Sequence, residues 1–203
     1  MKKITFIGLG VMGFPMAGHL SKKGYNVTVY NRSEEKSKLW IKTHIGTYST
    51  SIKEAVSESD IVFSCVGNDA DLREITLGPD KSFSSMKPGS VFIDHTTTSS
   101  DIALELSKKA KELNIHFLDA PVSGGEVGAV KGELTVMIGG ENSIFEKTKS
   151  IIAAYAKNIT LIGGSGKGQI AKMVNQICIA DLSKPFQKQS HFLKKAGWIQ
   201  RKF

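Results

Sequence analysis

The segment Phe6-Ile7-Gly8-Leu9-Gly10-Val11-Met12-Gly13 constrains this chain more than any other. It is a G-x-G-x-x-G that follows an apolar run at 3–7 and opens a helical pattern through Met12, Met16, Ala17 and Leu20, with Gly24 as a stop. Each glycine has its own task in such a turn. The first reverses the strand into the helix, the second admits a pyrophosphate against bare backbone, and the third lets helix and strand pack closely. The helix N-terminus then offers unpaired N–H groups and a partial positive charge. A second apolar run, Val27-Thr28-Val29-Tyr30, completes a βαβ unit of the length a dinucleotide site requires. Gly8, Leu9, Gly10, Val11, Met12 and Gly13 are therefore the first cofactor-binding candidates.

Asn31-Arg32-Ser33 occupy the position after the second strand where such a fold selects its cofactor. A carboxylate there would hydrogen-bond a ribose 2′-hydroxyl and repel a 2′-phosphate. This chain instead offers the donors of Asn31 and Ser33 and the guanidinium of Arg32, so NADP is expected over NAD, with NAD still possible. Strand-like runs at 60–66, 90–94, 115–118, 134–140 and 158–162 alternate with helical patterns at 69–77, 100–113 and 143–155. That alternation predicts an α/β fold, a doubly wound Rossmann-type sheet. Val66-Gly67-Asn68 and Thr96 follow the ends of two of these strands, where an open α/β sheet presents its ligand loops. Ser51 and Glu54 have capping-box spacing, and the hydroxyls at 97–99 suit a helix cap.

Ser123-Gly124-Gly125 place a hydroxyl beside flexible backbone after a strand, which suits either a carboxylate or a tight turn. Gly163-Gly164-Ser165-Gly166-Lys167-Gly168 is the expected boundary between a dinucleotide-binding domain at 1–162 and a second segment at 163–203. Beyond it Lys172 and Asn175 share one helix face. Lys184, Lys188, Lys194, Lys195, Arg201 and Lys202 supply six of the eight net positive charges. The rest of the chain is nearly balanced, which argues against a nucleic-acid groove on the folded surface. No apolar run approaches the roughly 20 residues needed to cross a bilayer. The first strand at the N-terminus leaves no room for a leader, and Cys65 and Cys178 read as buried free thiols, so a cytoplasmic location is expected.

Four ordered blocks carry a resemblance to a known family. Gly8 to Gly13 with Met16-Ala17, then Asn31-Arg32, then Asp119-Ala120-Pro121-Val122-Ser123-Gly124-Gly125, then Gly166-Lys167-Gly168-Gln169 through Lys172-Met173-Val174-Asn175-Gln176, together resemble the β-hydroxyacid dehydrogenases over residues 1 to about 180. The resemblance implies hydride transfer between NADP(H) and a short 3-hydroxy acid or semialdehyde. It implies Lys172 as general acid/base, with Asn175 holding the same substrate oxygen or orienting the lysine. Ser123, Gly124 and Gly125 would take the carboxylate of a small substrate, while Thr96 and the 66–68 loop would line the nicotinamide side. Gln176 stands where the family has a second asparagine. Members are usually homo-oligomeric and continue into a helical domain. Here Pro185 and the basic residues around it break that pattern before Lys195-Ala196-Gly197 restores it, so a truncated chain with a frame-changed tail is expected.

Overall fold

Alternate residues of the apolar strands point to opposite faces of one sheet, as a period of two requires. In the computed structural model, which describes residues 2–179, Ile4 and Phe6, Ile61 and Phe63, and Val91 and Ile93 enter one core, while Ile7, Val62 and Phe92 enter a second core on the other face. Burial on both sides is why these runs lack a polar alternation. The tail at 181–203, with Pro185, lies outside the described residues.

The chain runs β1 (Lys3–Ile7), α1 (Gly13–Lys22), β2 (Asn26–Tyr30), α2 (Glu34–Thr43), β3 (Thr47–Tyr48), α3 (Ile52–Val56), β4 (Ile61–Ser64), α4 (Asp69–Thr76), α5 (Ser82–Ser85) and β5 (Val91–Asp94). It continues through α6 (Ser100–Glu112), β6 (His116–Asp119), β7 (Val122–Ser123), α7 (Gly125–Lys131), β8 (Leu134–Gly139), α8 (Asn142–Ile152) and β9 (Ala156–Gly163) to a helix over 167–179, α9. Among the described residues the sheet has the order β3-β2-β1-β4-β5-β6-β8-β7, with β9 paired to β8. The pairs from β3 to β6 are parallel, giving the doubly wound arrangement. Beyond β6 the pattern changes, because β8 runs antiparallel to both β6 and β7.

Met16, Ala17 and Leu20 of α1 and Trp40 of α2 seal the first core, and Trp40 donates its indole N–H to Phe14 O at 3.2 Å. Leu72, Phe83, Ile102, Leu106 and Ala110 seal the second. Phe83 meets Phe92 edge-on at 5.2 Å, and Phe92 stacks with Phe117 at 6.1 Å. Each buried Leu, Ile, Met or Phe side chain among them contributes on the order of 1.5–3 kcal/mol. The predicted Ser51 cap forms, its hydroxyl accepting from Glu54 N–H at 3.4 Å, but the reciprocal half of the box does not. Ser51 N–H donates instead to Ser49 Oγ at 3.0 Å. The two cysteines are free, and the expectation that both are buried is corrected. Cys178 is exposed in the last turn of α9, where residues 176–179 are all exposed, and Cys65 is half-buried at a cavity wall.

Candidate active site

β1 and β4 are neighbours, and from β1 the chain winds outward in both directions. The loops after these two strands diverge and leave a crevice at their carboxyl ends, where doubly wound sheets take their ligands. The glycines of the first loop differ in what they face. Gly8 has φ +95°, and a Cβ there would lie 2.2 Å from Cys65 O. A Cβ on Gly13 would lie 1.9 Å from Gly8 O. These two are demanded by the fold, whereas among the described residues a Cβ on Gly10 would meet nothing within 4 Å. The protein itself gives no steric reason for a glycine at that position.

The amide accounting of the same loop is equally uneven. Gly8 N–H donates to Tyr30 O at 2.9 Å, and Leu9 N–H donates to Asn31 Oδ1 at 2.8 Å. Among the described residues the N–H groups of Gly10, Val11 and Met12 have no acceptor. α3, α4 and α6 are capped by the side chains of Ser51, Asn68 and Ser99, but α1 has neither a side-chain cap nor an acidic residue in its first turn. Its N-terminus is thus open to an anion. A cavity of about 490 Å³ begins here, lined by Gly8, Gly10, Val11, Met12, Asn31, Arg32 and Ser33 from the first half and by Cys65, Val66 and Gly67 from the loop after β4.

Asn31 and Ser33, expected to offer donors to a ligand, line this cavity and also bond to neighbouring groups of the protein. Asn31 Nδ2 donates to Ser33 O at 3.0 Å and Ser33 Oγ donates to Glu35 Oε2 at 2.6 Å. Arg32 extends its guanidinium largely into solvent. Asn68 spends its carbonyl on Asp71 N–H at 3.0 Å as the cap of α4. Thr96 is buried, and its hydroxyl accepts from Val66 N–H at 3.0 Å while donating to Asp94 Oδ1 at 2.6 Å.

A second cavity of about 690 Å³ shares Met12, Cys65, Val66 and Gly67 with the first, so the two form one continuous cleft. Thr96, Ser123, Gly124, Gly125, Lys172 and Gln176 line its far end. Lys172 is 7% exposed, and burial holds its ammonium below the usual lysine range. Asn175 reaches Ser123, its amide donating to Oγ at 3.3 Å. The structure therefore brings Lys172, Asn175 and Ser123 together, although they are distant in sequence.

Four anchors of this arrangement carried no assigned role in the sequence. Asp119, at the end of β6, accepts from Gly166 N–H at 2.7 Å and Gln169 N–H at 3.0 Å, capping the helix that bears Lys172. A Cβ on Gly168 would lie 2.8 Å from Asp119 Oδ2, which accounts for that glycine. Gln169 in turn donates to Thr96 O at 2.7 Å and accepts from Thr98 N–H at 3.1 Å, tying α9 to the loop after β5. Below the cleft, Asp94 Oδ1 accepts from Ser64 Oγ at 2.7 Å and from both groups of Thr96, while its Oδ2 has no partner among the described residues. Burial pushes the Asp94 carboxyl up to about 7. His95 beside it is bonded through Nδ1 to Ala120 O and through Nε2 to Tyr155 Oη, both at 2.7 Å, and burial pushes its imidazole down to about 4. An acid and a histidine closing an apolar parallel strand were the available signal.

The family model for the NAD binding domain of 6-phosphogluconate dehydrogenase matches residues 3–163. An uncharacterized oxidoreductase of Shewanella frigidimarina is 50% identical over 197 residues, covering 97% of this chain and 68% of its own. The 2-hydroxy-3-oxopropionate reductase of Escherichia coli is 35% identical over 196 residues, covering 96% and 66%. Among solved structures, the 3-hydroxyisobutyrate dehydrogenase of Mycobacterium tuberculosis with L-serine superposes with a TM-score of 0.88 at 30% identity, covering 98% of this chain and 67% of that one. The chain belongs to the β-hydroxyacid dehydrogenase family. Its residues 3–163 form the nucleotide-binding domain of a nicotinamide-dependent oxidoreductase. The chain spans about two thirds of the length of these relatives, and 62% of an uncharacterized oxidoreductase of Bacillus subtilis that is 39% identical. Among the described residues no helix is long and apolar enough to cross a membrane.

Proposed function

We propose that residues 1–162 bind NADP(H) and that the 163–203 segment contributes Lys172 to the interconversion of a short 3-hydroxy acid and its semialdehyde. The observation that carries this is the open approach to Gly10 beside three amides that have no acceptor among the described residues and an uncapped helix, continuous with the cavity that holds Lys172. The residues present fit a dinucleotide. Gly10, Val11 and Met12 would hold the pyrophosphate, Arg32 would meet a 2′-phosphate, and Val66, Gly67 and Thr96 would flank the nicotinamide. When bound, that group supplies or accepts the hydride.

The remaining chemistry belongs to side chains of this chain. Lys172 donates a proton to the substrate carbonyl oxygen during reduction and withdraws it from the hydroxyl during oxidation. Its burial raises the cost of the charged ammonium and so lowers its proton affinity toward the working range. Asn175 fixes Ser123 through the 3.3 Å bond. Ser123 and the glycines after it, Gly124 at φ +127° and Gly125 at +60°, receive the substrate carboxylate. Asp119 and Gln169 hold α9 so that the ammonium stays at the cleft. With free cysteines and no membrane-crossing helix among the described residues, a cytoplasmic setting fits this assignment.

A titration with NADPH and NADH, followed by a panel of glyoxylate and succinic, tartronate and methylmalonate semialdehydes, tests the assignment. The alternative outcome of the same test is a noncatalytic NADP-binding module. Cofactor binding without turnover on any of these substrates supports that module, and turnover abolished by Lys172→Ala supports the enzyme.

A further inference from the structure

Arg32 has one carboxylate partner among the described residues. Its Nη1 stands 3.6 Å from Asp71 Oδ1. Arg32 lies in the turn after β2 and Asp71 in the first turn of α4, and both line the 490 Å³ cavity, so the pair reaches across the end of the cleft remote from Lys172. The Arg32 side chain is 82% exposed, whereas that of Asp71 is 29% exposed. A Cβ on Gly67 would lie 2.4 Å from Asp71 Oδ2, so the carboxylate leans over the loop after β4. Asp71 N–H is held by the Asn68 cap, which fixes the backbone beneath that carboxylate. The same cavity wall carries Lys36, Lys81 and Glu74. Neither lysine has a carboxylate within 4.0 Å among the described residues.

We propose that Asp71 is a specificity-determining residue that narrows the preference for NADP(H) over NAD(H). This rests on the dinucleotide assignment made above. Arg32, Lys36 and Lys81 together form a cationic rim suited to a 2′-phosphate. Asp71 occupies the guanidinium in the absence of that phosphate and, as a like charge on the same rim, opposes the phosphate when it arrives. A 2′-hydroxyl meets no such opposition and can donate to the same carboxylate. Asp71 thus stands in for the acid missing at Asn31-Arg32-Ser33, contributed by the opposite wall of the cleft.

The test is the dissociation constant of NADPH and of NADH, read from nicotinamide fluorescence, for the wild type, Asp71→Asn and Glu74→Gln at low and high salt. Asp71→Asn is expected to tighten NADPH by roughly three- to tenfold, as suits loss of one partly exposed charge competitor. NADH should change less than twofold or weaken. The gain should shrink at high salt, where exposed charges are screened, and Glu74→Gln, which lacks the contact to Arg32, should shift the ratio less. An unchanged NADPH to NADH ratio in Asp71→Asn, or an equal shift in Glu74→Gln, overturns the role of Asp71 while leaving the dinucleotide assignment standing. Failure of both cofactors to bind the folded wild type overturns both.

Discussion

Asp94→Asn should change how the stability of this protein responds to acid. The native Asp94 carboxyl titrates near 7 against a usual value of 3.8, because it is buried, with one oxygen unpartnered among the described residues. A carboxyl raised in this way holds its proton more tightly in the native state, so its contribution to stability grows as pH falls from 7 toward 3.8. At about 1.4 kcal/mol per pH unit, the full span is on the order of 4 kcal/mol. His95 does the opposite. Its imidazole titrates near 4 against a usual 6.5, so native stability is lost as pH falls through that interval, by on the order of 3 kcal/mol. Between pH 6.5 and 4 the two neighbours nearly cancel in the wild type. Asp94→Asn keeps the acceptor for Ser64 and Thr96 but removes the titration, and so exposes the His95 loss. Urea unfolding followed by circular dichroism from pH 4 to 8 checks this, since all other groups cancel in the difference between the two proteins. The variant should gain relative to the wild type by about 3–4 kcal/mol on going from pH 4 to pH 8. Parallel stability curves would refute a neutral native Asp94 and the balance with His95.

Other perturbations separate fold from site. Gly10→Ala should leave thermal stability within about 1 kcal/mol, because its Cβ meets nothing, while NADPH affinity falls at least tenfold; Gly13→Ala, with its Cβ 1.9 Å from Gly8 O, should fail to fold or lose several kcal/mol by the same melting assay. Asp119→Asn removes a charged cap from α9 and should cost roughly 1.5–3 kcal/mol in urea unfolding, with peptide-resolved labelling of Lys172 changing its pH dependence. Lys172→Ala should reduce turnover by roughly 10²–10⁴-fold with NADPH affinity retained. In the wild type, carbonyl reduction should fall as pH rises through a lysine titration below 10.5.

Much of this fold was legible because two periodicities alternate along the chain, and the runs containing Ile61 to Ser64 and Val91 to Asp94 are too apolar for anything but a sheet covered on both faces. The two-residue strands β3 and β7 and the four-residue α5 are too short to leave a period. The helix Gly125–Lys131 was hidden by its own glycines, whose low helix propensity reads as a turn; the turn is present, at Gly124, and the helix follows it. The reversal at β8 depends on pairing between distant segments, which local pattern does not encode. At the site, the glycine turn, Lys172, Asn175 and Ser123 could be named in advance by residue type and spacing. The internal use of Asn31 could not, since a side-chain amide serves a ligand or a neighbouring N–H equally well until the loop is folded. Asp119 and Gln169 were silent for a related reason: each acts on backbone groups some 50 to 73 positions away.

The central claim is that the amides of Gly10, Val11 and Met12 receive the pyrophosphate of a nicotinamide dinucleotide. An ¹H–¹⁵N correlation spectrum recorded during titration of the isotope-labelled protein with NADPH reads those three amides directly. Their resonances should move together and saturate with the same dissociation constant as the fluorescence titration, while Gly24, at the far end of α1, stays in place. Resonances at Gly10 to Met12 that remain still while NADPH binds elsewhere, or through a titration in which nothing binds, would contradict the account.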